Sequence, residues 1–196
     1  MLLNENPFSN STFLLKKQFF KLFGGTFRIY DTSGSLVLFA SMKAFKLKED
    51  ISIFGDEAKT TELINIKARN IIDLWSTYDV YDPQTGQKLG ALRRKGLKSM
   101  LKDEWMILDS TDNEIGSIQE DSWLMATLRR LVGNGLIPQT YHGEIKAMPV
   151  FVFKQRFNFF VQQIDLDFTP DTMNMLDRRL GIAAAVMMSA IEGRQE

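Results

Sequence analysis

L-G-I-A-A-A-V-M-M-S-A-I, Leu180 to Ile191, is the stretch whose reading decides the fold. Only Gly181 and Ser189 interrupt the aliphatic and thioether side chains, and both are small. Twelve residues of helix span ~18 Å, well short of the ~30 Å hydrocarbon core of a bilayer. A helix apolar on every side must still be enclosed. Charges bracket it, with Asp177, Arg178 and Arg179 before and Glu192 and Arg194 after. The economical solution is a helix surrounded by the protein's own sheet.

The rest of the chain supplies such a sheet. From Phe27 to Ile118 the dominant period is two. Phe27/Ile29, Ile51/Ile53, Ile64/Ile66/Ala68, Tyr78/Val80 and Met106/Leu108 each alternate with their neighbours, the pattern of half-buried strands. Turn chemistry separates them: Asp31-Thr-Ser-Gly34, Gly55-Asp-Glu, Asp82-Pro-Gln-Thr-Gly86 and Asp109-Ser-Thr-Asp-Asn113. These turns start 24 to 27 residues apart. Y-D-P-Q-T-G-Q-K-L-G (81–90) and L-D-S-T-D-N-E-I-G (108–116) both run from Asp through a turn to an aliphatic-Gly pair, and Tyr30-Asp31 with Gly34 is a looser third copy. Reused hairpin chemistry and an internal repeat both account for the likeness. No helix-length pattern separates the strands, so the arrangement is an antiparallel meander and not a βαβ series.

Ser122–Val132 reads as one short helix, capped by Asp121 or Ser122, with Leu124, Leu128 and Leu131 at helical spacing and Gly133 beyond its end. Strands then resume at Tyr141-x-Gly-x-Ile145, Val150–Phe153, Phe157–Val161 and Ile164/Leu166/Phe168. Many antiparallel strands and one terminal helix apolar all round predict a mainly β (α+β) fold, a closed antiparallel barrel around that helix. Closure also removes exposed sheet edges.

The bulk numbers fit one domain over 1–196. At 196 residues and 22.5 kDa, area scaling lets roughly 70% of the unfolded surface be buried. Basic and acidic residues balance at 24 each, which removes the global electrostatic case for nucleic acid. Cysteine is absent, excluding disulfides, thiolate nucleophiles, zinc-thiolate sites and palmitoylation, and pointing to a reducing cytoplasm. Met1–Thr12 is polar, with Lys16-Lys17 after its short apolar group, unlike a secretory signal.

Several motifs together resemble the LURP-one-related proteins: Y-D-V-Y-D-x-x-T-G-x-x-L-G, L-R-R-K-G-L-K-S-M-L-K-D-E-W-x-I-L-D, I-G-S-I-x-E-D-S and L-D-R-R-L-G-I-A-A-A-V-M-M-S-A-I-E-G. That family belongs with the phospholipid scramblases and the Tubby C-terminal domain in one superfamily. The resemblance covers roughly residues 13 to 194 and implies a twelve-stranded Tubby-like barrel around a central C-terminal helix. It assigns no activity, since fold does not dictate function.

The strongest charge feature is Arg93-Arg94-Lys95-x-x-Lys98 with Lys102, and Lys43, Lys46 and Lys48 form a weaker second cluster. Arg93, Arg94, Lys95, Lys98, Lys43 and Lys46 are the candidates for gripping anionic phospholipid headgroups, as Tubby domains grip phosphoinositides. The bland reading is a solvated strand and loop. If the segment is extended, Arg93 and Lys95 point opposite to Arg94 and Lys98, and Asp103 and Glu104 follow at once.

Asp165 and Asp167 resemble the region proposed as a calcium loop in scramblases. Strict alternation without glycine instead favours a strand with outward carboxylates. His142, the sole histidine, shares a strand face with Glu144 and Lys146, is expected to be exposed, and has no G-x-S-x-G elbow to serve. Phosphate-loop patterns are absent. Met173, Met175, Met187 and Met188 read as core filler.

No catalytic residue, metal or cofactor is therefore assigned. The leading expectation is a non-enzymatic, cytoplasmic scaffold or binding module. Its partners are an anionic membrane surface or phosphoinositide-like lipid, touched peripherally, and an unknown protein. Scramblase-like lipid transport and an unrecognised hydrolase or small-ligand-binding barrel are the alternatives.

Overall fold

A computed structural model describes residues 6–20, 24–42, 50–69, 77–95, 104–120, 139–156, 158 and 161–192. Twelve strands follow one another: β1 (Thr12–Phe20), β2 (Gly24–Tyr30), β3 (Leu36–Met42), β4 (Asp50–Phe54), β5 (Glu62–Ala68), β6 (Thr77–Tyr81), β7 (Lys88–Arg94), β8 (Glu104–Leu108), β9 (Glu114–Glu120), β10 (Thr140–Ile145), β11 (Met148–Arg156) and β12 (Gln162–Asp167). One helix, α1 (Arg178–Glu192), closes the described chain. The strands form a closed antiparallel barrel in sequence order, and β1 seals the ring by pairing with both β2 and β12. The expected helix over 122–132, and Phe157, Phe159 and Phe160, lie outside the described residues.

Alternation builds the lumen. Leu15, Phe27, Ile29, Leu38, Ile51, Ile53, Ile64, Ile66, Val80, Leu92, Ile107 and Ile118 point inward and are essentially inaccessible to water. They enclose α1, which is buried on every side from Leu180 to Ala190. Each such Ile, Val or Met contributes about 1.5–3 kcal/mol by leaving water. Small residues permit the close approach. A Cβ on Gly90 would fall 2.8 Å from Leu180 Cδ2 and 2.5 Å from the Leu108 carbonyl oxygen.

The lumen face of β8 differs from the expected Met106/Leu108. Trp105 and Ile107 point inward, while Leu108 is buried on the outer side of the wall. A register shift between Ile107 and Leu108 accompanies this, and large side chains on both faces leave the alternation ambiguous in sequence.

The turns among the described residues lie at one end, where α1 also enters the barrel; we term this the turn end. Asp31 Oδ1 accepts the backbone N–H groups of Ser33 (2.9 Å) and Ser35 (2.8 Å), and Asp109 Oδ1 accepts those of Thr111 (2.8 Å) and Asn113 (2.9 Å). Asp82 does the same for Gln84 at 2.9 Å. These Asx turns stand in for the backbone pairing the chain gives up as it reverses. Residues 168–177 then lead into α1. Phe168 fits edge-on among Phe13, Phe151 and Phe153, with ring centroids 6.1, 5.9 and 5.4 Å away. Buried Asp171 accepts the N–H groups of Met175 (2.8 Å) and Leu176 (3.1 Å). Met173, expected in the core, is 68% exposed on this connection, whereas Met187 and Met188 are buried. A turn residue between Asp171 and the helix has no lumen to enter.

One local device recurs. In β2–β3, β4–β5, β6–β7 and β8–β9 the register slips just before the turn, leaving Val37, Leu63, Leu89 and Ile115 unpaired in the returning strand. Each is 26 residues after the last, and each packs against the core. The β10–β11 hairpin slips likewise, at Val150. Such bulges sharpen strand twist, which a narrow barrel requires.

Candidate functional site

The described strand ends that flank the sequence candidates lie at the end of the barrel opposite the turns, the far end. Met42 and Asp50, which flank residues 43–49, lie there, as do Arg94 and Glu104, which flank most of residues 95–103. Lys43, Lys46 and Lys98, together with Lys48 and Lys102, lie outside the described residues. Three strands, β4 to β6, separate β3 from β7 in the ring, about 19 Å along the wall at ~4.8 Å per strand.

Arg93, Arg94 and Lys95 are described, and they divide between the two faces of β7. Arg93 points outward, and its Nε donates to Thr77 Oγ1 at 3.1 Å on the neighbouring strand. Arg94 follows Leu92 on the lumen side, with its guanidinium 5.9 Å from the ring of Trp105, its partner across β8. Lys95 Nζ donates to Glu104 Oε1 at 2.5 Å, and its backbone N–H donates to the Glu104 carbonyl. The three cations are therefore not a single prong. Only Arg94 stands over the lumen-side aromatic pair, Trp105 and Tyr78, whose rings are 6.0 Å apart.

A second charged constellation lies on the outer wall, and sequence reasoning missed it. Arg69 forks onto Asp79 through Nε (2.7 Å) and Nη2 (2.6 Å) and also reaches Asp112. Lys88 Nζ bridges the same two carboxylates, at 2.6 Å to Asp112 and 3.0 Å to Asp79. Burial pushes the Asp79 carboxyl up, but hydrogen bonds from Arg69 and Lys88 outweigh it and hold the group below the usual carboxylate range. Hydrogen bonds from Lys88 and Arg69 lower Asp112 in the same way. Two cations and two anions close on each other, so the network ties β5, β6, β7 and the β8–β9 turn together without net charge. The residues are 43 positions apart at their extremes and carry no shared motif; the ladder sets Lys67, not Arg69, directly opposite Asp79, so the pairing shows only once side chains are in place.

The acidic candidates are also engaged. Asp165 accepts a forked pair from Arg156, at 2.8 Å from Nε and 2.6 Å from Nη2. Asp167 Oδ1 accepts from the Thr169 backbone at 2.8 Å and its hydroxyl at 2.7 Å. Among the described residues no three His, Asp or Glu side chains group to hold a metal ion. His142 is half-buried on the outer face of β10, less open than expected. Lys17, by contrast, was not singled out, and it points into the lumen. Its signal was present, since Phe13, Leu15 and Lys17 fall on one face of a strand.

Charge is distributed unequally along the barrel axis. The turns and connections at the turn end (31–35, 55–61, 82–87, 109–113, 146–147 and 168–177) hold eight carboxylates and two lysines, and Arg178 and Arg179 open α1 beside them. The sequence segments between strands at the far end (21–23, 43–49, 70–76, 96–103 and 121–138) hold eight basic and four acidic residues.

A closed twelve-stranded wall with an apolar terminal helix in its lumen defines a Tubby-like barrel. The sequence model described as LURP-one-related matches residues 36–134, from the start of β3 past the end of β9. The chain belongs to the LURP-one-related family. No curated protein and no solved structure matches it. Among the described residues no helix is long and apolar enough to cross a membrane.

Proposed function

We propose that this barrel is a non-enzymatic scaffold or binding module whose far end contacts anionic phospholipid headgroups from the cytoplasmic side. The observation that carries the reading is placement. The strand ends flanking Lys43 and Lys46, and Arg93, Arg94, Lys95 and the strand ends flanking Lys98, share one end of a barrel whose other end is rich in carboxylates. A rim carrying basic residues is attracted to an anionic surface in preference to one rich in carboxylates. Each Lys or Arg near such a surface adds about 1 kcal/mol, so three or four suffice for reversible docking. Arg93, on the outer face, has a guanidinium suited to phosphate beyond the Nε it donates to Thr77.

Co-sedimentation with vesicles tests the reading. Binding to phosphatidylglycerol or phosphoinositide vesicles at low salt, reduced by salt and by the Arg93→Ala/Lys95→Ala pair, supports it. Equal recovery with neutral phosphatidylcholine vesicles, or no uptake at low salt, removes it. Scramblase-like transport requires α1 to leave the lumen, and at 15 residues, ~22 Å, the helix falls short of a bilayer core.

A further inference from the structure

We propose that Glu104 is a built-in competitor for the headgroup phosphate, a specificity-determining residue that sets how much anionic lipid a membrane must carry before the barrel docks. This presupposes the headgroup contact proposed for the far end. Lys95 continues the ladder one step beyond the Arg94–Trp105 pair, and its backbone N–H donates to the Glu104 carbonyl at 3.0 Å. The two residues are therefore directly opposite. Trp105 points inward, so Glu104 points outward on the face that Arg93 and Lys95 share. Lys95 Nζ donates to Glu104 Oε1 at 2.5 Å, and the two side chains are 35% and 31% exposed. On its other side Glu104 faces the neutral Gln119 of β9.

Such a half-exposed ion pair adds little to stability, and the backbone bond already joins these strand ends. The effect of the pair falls on the charge that the rim presents. Arg93, two residues before Lys95 on the same face, donates through Nε to the neutral Thr77 hydroxyl and keeps its full charge. Lys95 has its charge cancelled by a carboxylate one hydrogen bond away. The outer patch of Arg93, Lys95 and Glu104 thus carries one net positive charge instead of two. A phosphate seated at Arg93 must take Lys95 from Glu104. It also meets the Glu104 carboxylate itself, which is the diagonal neighbour of Arg93 across β7 and β8. Neither partner of the pair is buried, so exchange between carboxylate and phosphate is reversible. Exchange is favourable where headgroup anions crowd the surface and unfavourable where they are diluted among neutral lipids. The carboxylate therefore raises the charge density that docking requires.

Binding to phosphatidylcholine vesicles with rising fractions of phosphatidylglycerol tests the competitor, comparing the native chain, Glu104→Gln, Lys95→Gln and the double variant. Glu104→Gln keeps the shape and an acceptor for Lys95 but cancels no charge. It should bind about fivefold more tightly at a given lipid composition, the effect of one rim charge, and reach half-binding at a lower phosphatidylglycerol fraction. In the Lys95→Gln background the same change should gain less than about twofold, because no ammonium remains to be released. An equal gain in both backgrounds assigns the effect to general repulsion and overturns the proposal. If the native chain binds and Glu104→Gln gains nothing, the competitor is removed while the headgroup contact stands. If both ignore anionic vesicles at low salt, the headgroup contact falls and the competitor with it.

Discussion

Gly181 lies against the edge of Phe168: a Cβ at Gly181 would sit 2.4 Å from Phe168 Cε1. Phe168 has nowhere to retreat, since three phenylalanine rings surround it and the Arg178 guanidinium lies 4.3 Å from its centre. Alanine is the better helix former by about 1 kcal/mol. Here the clash should dominate, and Gly181→Ala should destabilise the protein by about 1–3 kcal/mol in urea unfolding. A gain in stability would mean that the helix does not press on the aromatic plug.

The β10–β11 hairpin should be improvable. Its two-residue loop places Lys146 and Ala147 at φ of 50° and 61°, both in the left-handed region, between the paired residues Ile145 and Met148. L-residues with a Cβ are disfavoured there by about 1–2 kcal/mol each, and Asn-Gly is the preferred pair for such a turn. Replacing Lys146-Ala147 by Asn-Gly should raise the urea midpoint with an unchanged slope, a net gain of about 1 kcal/mol after the entropy that glycine returns to the unfolded chain. An unchanged or lower midpoint would place the loop in another conformation.

Acid should weaken the turn end first. Hydrogen bonds from the Asn113 side chain, its backbone N–H and Thr111 hold Asp109 at about 2, against an ordinary 3.8. Asp31 and Asp56 are lowered by hydrogen bonds from Ser33 and Thr60. A carboxyl whose folded pKa is depressed stabilises the fold above its unfolded pKa and loses that contribution as pH falls through the folded value. Tm should therefore decline between about pH 4 and pH 2. Asp109→Asn keeps an acceptor for the turn amides but cannot titrate. Its Tm should lie below the native protein's at pH 7 and decline less over the acid range. A parallel decline would remove Asp109 from the account.

The sequence revealed the architecture where two signals coincided. Phe27/Ile29 and Ile64/Ile66 alternate cleanly beside Asp- and Gly-rich turns, and both sets line the lumen. The terminal helix was legible because Leu180 to Ile191 has no polar face. The repeat was half legible. Leu89-Gly90 and Ile115-Gly116 stood out, but their kinship with Val37 and Leu63 emerges only from the shared bulge.

What stayed hidden depends on pairing across the ring. Lys88 at the start of β7 meets Asp112 in the β8–β9 turn, 24 residues on, and nothing local announces it. Lys17 donates to the Ser189 carbonyl, and the two are separated by nearly the whole chain. The basic run at Arg93 to Lys95 was visible as charge, but its division between Thr77, Trp105 and Glu104 required the neighbouring strands.

The seating of α1 inside the wall can be measured directly, because the chain contains no cysteine to confuse a thiol probe. One cysteine would replace Ala184, buried at 1% exposure in α1, and in a second variant one would replace Met173 on the exposed connection. With β-sheet circular dichroism intact, maleimide should label position 173 at once. Position 184 should react only at the rate of global opening, and both should react equally in denaturant. Labelling of position 184 as fast as position 173 in the folded protein would place the helix outside the barrel and contradict the account.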